Sequence, residues 1–148
     1  MRELRLYTFI NFYLSSIQQG IQTAHIVQEL NNKYAFSSES CTHHIELWGV
    51  NFKTIIVCNG GGTADLKEGI AIARTSPFAW AEFYESGDCL SGALTGFGII
   101  LPDSIFDCTR AVGDAGEECF VDPDGTYIRA NARHFDLIKY VKSKGLAR

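Results

Sequence analysis

A strand, a helix, a second strand, a second helix and a third strand follow one another through residue 84, and this alternation restricts the chain to an α/β layout. Residues 4–12, Leu-Arg-Leu-Tyr-Thr-Phe-Ile-Asn-Phe, are rich in β-branched and aromatic types and predict the first strand. Ser15 or Ser16 can cap the helix that follows, in which Ile17, Ile21, Ala24, Val27 and Leu30 recur at helical spacing to about Tyr34. Residues 35–47 are polar and irregular, read as a loop with room for a short helix. The run Thr54-Ile-Ile-Val-Cys58, inside a strand from Phe52 to Asn59, is nearly continuous in apolar residues, which suits a strand buried on both faces. Gly60-Gly61-Gly62 turns the chain, Thr63 is placed to cap a second helix, and Leu66, Ile70 and Ala73 form its apolar stripe until Pro77 stops it.

The remaining elements are shorter. Phe78–Tyr84 and Gly96–Leu101 read as strands, the latter stopped by Pro102. Residues 103–109 suit a helical turn, 113–125 an acidic loop with a turn at Asp122-Pro-Asp-Gly125, 126–128 a short strand, and 134–142 a helix with Phe135, Ile138 and Val141 on one side. The expected architecture is a small mixed β-sheet flanked by helices, in a single domain over 1–148. Its core spans about 4–102, with a C-terminal extension over 103–148.

Charge and cysteine content narrow the function. With 13 Lys and Arg against 17 Asp and Glu the net charge is −4, which argues against salt-driven DNA or RNA binding as the main activity. No apolar run approaches the roughly 18–20 residues of a membrane helix, and no secretory signal is expected. The five cysteines are widely spaced with no Cys-x-x-Cys pair, so reduced thiols and a cytoplasmic setting are expected, with Cys58 a small buried thiol.

Several residues can carry chemistry. The Gly60–Gly62 turn precedes a helix and can present N–H groups to an anion, yet it lacks the lysine of a phosphate-binding loop, so a plain turn is the competing reading. Gln18, Gln22 and His25 fall at i, i+4 and i+7 and share one helix face, either solvated or facing a ligand. His43-His44 are adjacent, so they point apart and no metal site is expected. Glu82 and Glu85 are weak as a catalytic pair. The segment from Trp80 to Thr95 gathers Trp80, Phe83 and Tyr84, acids and small polar groups around a loop between strands, where an aromatic can stack on a base and hydroxyls can bond a sugar. The alternative places Trp80 and Phe83 in the core.

The stretch Gln18-Gln-Gly-Ile-Gln22-Thr-Ala-His25 resembles the first helix of type 2 peptidyl-tRNA hydrolases, which carry Lys-x-x-x-Gln-x-Ala-His there. Leu94-Thr95-Gly-Phe-Gly-Ile-Ile-Leu-Pro102 resembles their last core strand, which begins with a functional threonine. The resemblance spans about residues 4–102 and implies that family's fold. The family's catalytic lysine falls on Gln18, which cannot supply its charge, and Glu85-Ser-Gly-Asp88 stands where an Asp-Ala-Gly-x-Thr-Gln pattern is expected. The aromatic, loop and threonine segment is also similar to small viral Thoeris anti-defence proteins, which capture cyclic ADP-ribose signals without cleaving them. That resemblance implies a homo-oligomer in the host cytoplasm that binds a small nucleotide. It assigns base stacking to Phe83, polar contacts to Ser91 and Thr95, and phosphate binding to Arg110. Gln18, Gln22, His25, Trp80 and Glu85 complete the expected binding set, with no catalytic residue, metal or cofactor. A divergent peptidyl-tRNA hydrolase using Gln22, His25 and Thr95 is the alternative.

Overall fold

The computed structural model describes residues 3–39, 41–88, 92–107, 109–112, 116, 118–121, 127–129 and 133–146. At 107, 109–111, 118–120, 127–129, 133 and 134 the backbone path alone is described. The architecture is α/β. Strand β1 (Leu4–Asn11) runs parallel to β2 (Thr54–Gly61) and antiparallel to β4 (Leu94–Pro102), and β3 (Trp80–Tyr84) pairs antiparallel with β4. The sheet order is β2-β1-β4-β3, and the two central strands, β1 and β4, are buried along almost their whole length, whereas the other two form the edges.

Helix α1 (Ser16–Tyr34) and the short α2 (Thr42–Leu47) cover one face of this sheet. Helices α3 (Thr63–Arg74) and α4 (Arg133–Ser143) cover the other. Alternation along each strand divides the core accordingly. Leu6, Ile10 and Ile100 meet Ile26 and Leu30 of α1, while Phe9, Phe97 and Leu101 meet Leu66, Ile70 and Leu137 of α3 and α4. The Phe9 and Phe97 rings stack at 4.8 Å, and Tyr140 of α4 sets its edge on Phe9 at 5.4 Å. Burying side chains of this size contributes about 1.5–3 kcal/mol each. The core expected at about 4–102 therefore takes in α4 as well. A second, antiparallel sheet has the order β5-β6-β7, from β5 (Thr109–Val112), β6 (Glu118–Val121) and β7 (Tyr127–Arg129).

Several local expectations are corrected. The outer part of β2 is not buried on both faces: it is an edge strand, and Ile55 is 41% exposed. Its far end is covered instead by the segment after α4, where Asn59 N–H donates to the Gly145 carbonyl and Leu146 bridges to Cys58. Residues 35–47 do hold a short helix, α2, but a π-helical turn over Trp48–Phe52 follows it, so β2 starts at Thr54 rather than Phe52, after Lys53 in a left-handed conformation (φ 58°). The cap of α3 is Gly62 rather than Thr63, and its N–H donates to the Asp65 carboxylate at 3.1 Å. Helix α4 buries Leu137, Tyr140 and Val141, one step round from the stripe that spacing suggests. Strand β6 lies within the stretch expected to be an acidic loop, being too short to show periodicity. The turn at 122–125 lies outside the described residues. Among the described residues no helix is long and apolar enough to cross a membrane.

The largest correction concerns α1. Its sheet-facing side is built from Gln22, Thr23, Ile26, Leu30 and Tyr34, whereas Ile17, Ile21 and Ala24 point outward. The helix has two apolar stripes, and spacing alone cannot say which one the sheet covers. Glycines on β4 decide it. A Cβ on Gly98 would sit 2.6 Å from Ile26 Cγ2, and one on Gly96 2.9 Å from Ile10 Cδ1 and 3.2 Å from Ile26 Cδ1. The helix thus seats its Ile26 side on a bare strip of sheet, close enough for polar side chains to bond across the interface.

Candidate functional site

Two of the strand pairings are irregular at the end of the sheet under the first half of α1. In the β3–β4 pairing Phe83 faces Gly96 but Tyr84 faces Leu94, which leaves Thr95 as the extra residue of a β-bulge. In the β1–β2 pairing Ile10 faces Asn59 and Asn11 faces Gly61, so Gly60 is the extra residue there. Bulges bend a strand and re-aim a side chain, and they gather beside functional sites. Here the first one turns Thr95 toward α1.

The result is a buried polar chain. Thr95 is fully buried and its hydroxyl donates to Gln22 Oε1 at 3.0 Å, with the Phe83 carbonyl a longer alternative at 3.4 Å. Gln22 Nε2 in turn donates to Glu85 Oε1 at 2.6 Å, a charge-assisted bond. Those two bonds fix which way the Gln22 amide points. One turn further along α1, His25 lies flat on Phe83, with ring centroids 4.4 Å apart and planes 4° from parallel. His25 is exposed, so the outer face of its imidazole is the aromatic surface open at this site. Deeper in, the Thr8 and Thr23 hydroxyls meet at 3.1 Å.

Asn11 lies at the same end of the sheet, and nothing but its polarity at the end of a strand marks it in the sequence. It is 1% exposed and its Nδ2 donates to the Leu94 carbonyl at 3.4 Å, next to the bulge. Its Oδ1 is buried with no hydrogen-bond partner among the described residues. An orphaned buried acceptor carries a desolvation cost of about 1–3 kcal/mol.

The expected binding residues separate into three sets. Gln22, His25, Phe83, Glu85 and Thr95 come together. Gln18 does not join them: it is exposed, and its Oε1 accepts from Ser15 N–H while Ser15 Oγ accepts from Gln18 N–H, a capping box. Trp80 does not join them either. It alternates to the opposite face from Phe83 and packs toward the α3–α4 core, where Lys33 Nζ lies 3.3 Å from its ring centroid and donates to its carbonyl at 2.9 Å. Tyr34 adds a second clamp on Trp80, accepting from its N–H and bonding its carbonyl, and burial pushes that phenol up to about 12. Ser91 lies outside the described residues, as does the side chain of Arg110, whose backbone is in β5.

The Gly60–Gly62 turn is structural. A Cβ on Gly60 would strike Leu66 at 2.6 Å, Gly61 takes a positive φ of 75°, and Gly62 N–H is held by Asp65. That carboxylate, kept below its ordinary range by the Gly62 N–H and then by Lys144, puts negative charge where an anion would have to sit. His43 and His44 lie on α2, where burial lowers the His44 pKa and neighbouring positions again point apart. Among the described residues no three His, Cys, Asp or Glu side chains gather around a possible metal position. Cys41 and Cys58 are free and buried, and burial raises the Cys58 thiol to about 11.

The arrangement offers an acceptor carboxylate, an oriented amide and an exposed stacked ring. Among the described residues the Thr95 hydroxyl has no base beside it, because its partner is the Gln22 amide oxygen. No protein-family model matches the chain, and no curated protein is significantly similar to it in sequence.

Proposed function

We propose that this chain binds a small nucleotide of the cyclic ADP-ribose isomer class and holds it without cleaving it, as a viral anti-defence protein would in the cytoplasm of its host. In this reading the sheet and α1 are a type 2 peptidyl-tRNA hydrolase scaffold put to binding. The observation that carries the reading is the Glu85–Gln22–Thr95 chain beside the His25–Phe83 stack. A carboxylate retains acceptor capacity after one bond, which suits a ribose hydroxyl, and a base can continue the stack on His25. Phe83 then supports the stack from beneath rather than touching the base. Thr95 holds the Gln22 amide rather than the ligand. The position that the hydrolase resemblance gives to a catalytic lysine is Gln18, whose amide oxygen is committed to the helix cap.

The test is a calorimetric titration of the purified protein with a panel of cyclic ADP-ribose isomers. The ligand is then released by heating and identified by chromatography. Tight binding with intact recovery is expected, and His25→Ala should lose about 1–3 kcal/mol of affinity. No binding across the panel, or recovery of an altered nucleotide, contradicts the proposal. One observation favours a second reading, a divergent peptidyl-tRNA hydrolase: Gln22 and Thr95 meet at 3.0 Å with His25 one turn away. That reading requires cleavage of peptidyl-tRNA that falls in His25→Ala, and it ends if high protein concentration releases no peptide.

A further inference from the structure

The two parallel strands part at their carboxyl ends. β1 leads into α1 on one face of the sheet, and β2 leads into α3 on the other. Connections that diverge in this way leave a crevice outside the strand ends, and open α/β sheets bind ligands there. The Gly60 bulge bends β2 at this point and sets Gly61 opposite Asn11. A cavity of about 390 Å³ lies here, within the size range of small-molecule sites. Phe12 and Gln19 line it from the β1–α1 side, Asn59 and Gly61 from β2, and Lys144 and Leu146 from the segment after α4. None of them belongs to the Glu85–Gln22–Thr95 chain or to the His25–Phe83 stack. The far wall is held in place, because Asn59 N–H donates to the Gly145 carbonyl at 2.9 Å and Leu146 bridges to Cys58.

The polar side chains around this cavity are each only partly committed. Asn59 Oδ1 accepts from Gly61 N–H at 2.9 Å, which leaves the Asn59 amide N–H groups as donors. Gln19 Nε2 donates to the Leu14 carbonyl at 3.0 Å, which leaves Gln19 Oε1 as an acceptor. Lys144 Nζ lies 3.4 Å from Asp65 Oδ1 and keeps further N–H donors. Phe12 and Leu146, 65% and 70% exposed, add apolar surface.

We infer that this cavity binds a small aryl carboxylate, an organic monoacid with a flat apolar body. Lys144 and Asn59 donate to the carboxylate, Phe12 and Leu146 cover the ring, and Gln19 Oε1 accepts from an N–H or O–H on the body. Charge selects the class. Lys144 is shared with Asp65, so it can answer one negative charge but not a phosphate dianion. A cation would be repelled by Lys144, and a neutral ring would leave the Lys144 and Asn59 donors without an acceptor.

The test is a nitrogen-15 NMR titration of the full chain with indoleacetic acid, using neutral indoleacetamide and phenyl phosphate as comparison probes. Indoleacetic acid should shift the Asn59 side-chain amide and the backbone amides of Phe12, Gly61 and Gly145, saturating at low millimolar concentration. Both comparison probes should bind more weakly by about fivefold or more. Asn59→Asp keeps an oxygen for Gly61 N–H, so the turn survives, but it opposes the carboxylate with a like charge and should weaken binding about tenfold or more. Phe12→Ala, at an exposed ring, should weaken it about fivefold. The amides of His25, Phe83 and Glu85 should stay in place, so this result and the nucleotide titration succeed or fail separately. Absence of saturable shifts overturns the inference. So does equal binding of either comparison probe, or an affinity that neither substitution changes.

Discussion

The two faces of the main sheet are packed on different principles. Against α3 and α4 the filling is apolar and aromatic, centred on Phe9, Phe97 and Tyr140. Against α1 the same strands add Thr8, Thr95, Gly96 and Gly98 to the apolar Leu6, Ile10 and Ile100, and the helix answers with Gln22 and Thr23 beside Ile26 and Leu30. One face gains stability by burying large rings. The other gives up side-chain volume so that a helix can come close and form oriented polar contacts. Polar groups in a core stabilise little on balance, but they fix geometry when every member is satisfied. The difference teaches where a site is to be sought: on the face that gave up packing for placement.

The sharpest way to separate the faces is to cut into each. Phe97→Ala removes the centre of the aromatic face and should cost about 3–5 kcal/mol in denaturant unfolding, without changing which residues line the α1 side. A loss well under 1 kcal/mol would show that this face is not the main source of stability. Gly98→Ala probes the other face by overfilling it, since the new methyl group would lie 2.6 Å from the buried Ile26. The expected cost is about 1–3 kcal/mol, and α1 should lose amide protection before α3 does. A neutral effect would mean that the helix sits less tightly than the geometry indicates.

Smaller changes sharpen the contrast. Thr95→Val keeps shape but leaves Gln22 Oε1 buried without its donor, for a loss of about 1–3 kcal/mol. Adding Gln22→Leu should recover part of that loss, and a double-mutant cycle measures the coupling. Strict additivity would break the polar chain as a unit. The smallest effect belongs to Asp65→Asn at the start of α3. The Asp65 pKa is depressed in the folded state, so its contribution is present above the carboxylate's unfolded value and is lost as pH falls through the folded one. The variant should therefore melt below the wild type at pH 7, with the gap closing in acid. A gap that widens in acid reverses the sign and refutes the assignment.

How much of this the sequence discloses depends on the range of the interaction. The strand–helix alternation, Ser15 as a cap, the stripe Leu66–Ile70–Ala73 and the burial of Cys58 are local and legible. The burial of α1 is misread because Ile17, Ile21 and Ala24 form as regular a stripe as the residues that face the sheet. Only the bare strip at Gly96 and Gly98 decides between them. The polar chain is legible as residue types but not as a group. Gln22 meets Thr95 across 73 positions and Glu85 across 63, and the bulge that aims Thr95 has no sequence signal of its own. Trp80 and Phe83 look alike in the sequence, and strand alternation sends them to opposite faces.

The nucleotide proposed as the ligand would sit on the α1 side of the sheet. The most direct measurement is a nitrogen-15 NMR titration of the labelled protein with a cyclic ADP-ribose isomer, following the side-chain amide of Gln22 and the backbone amides of His25, Phe83 and Glu85. These signals should shift together and saturate at one ligand per site, while Leu66, Phe97 and Leu137 on the opposite face stay in place. Shifts confined to the α3–α4 side, or none at millimolar ligand, would contradict the account.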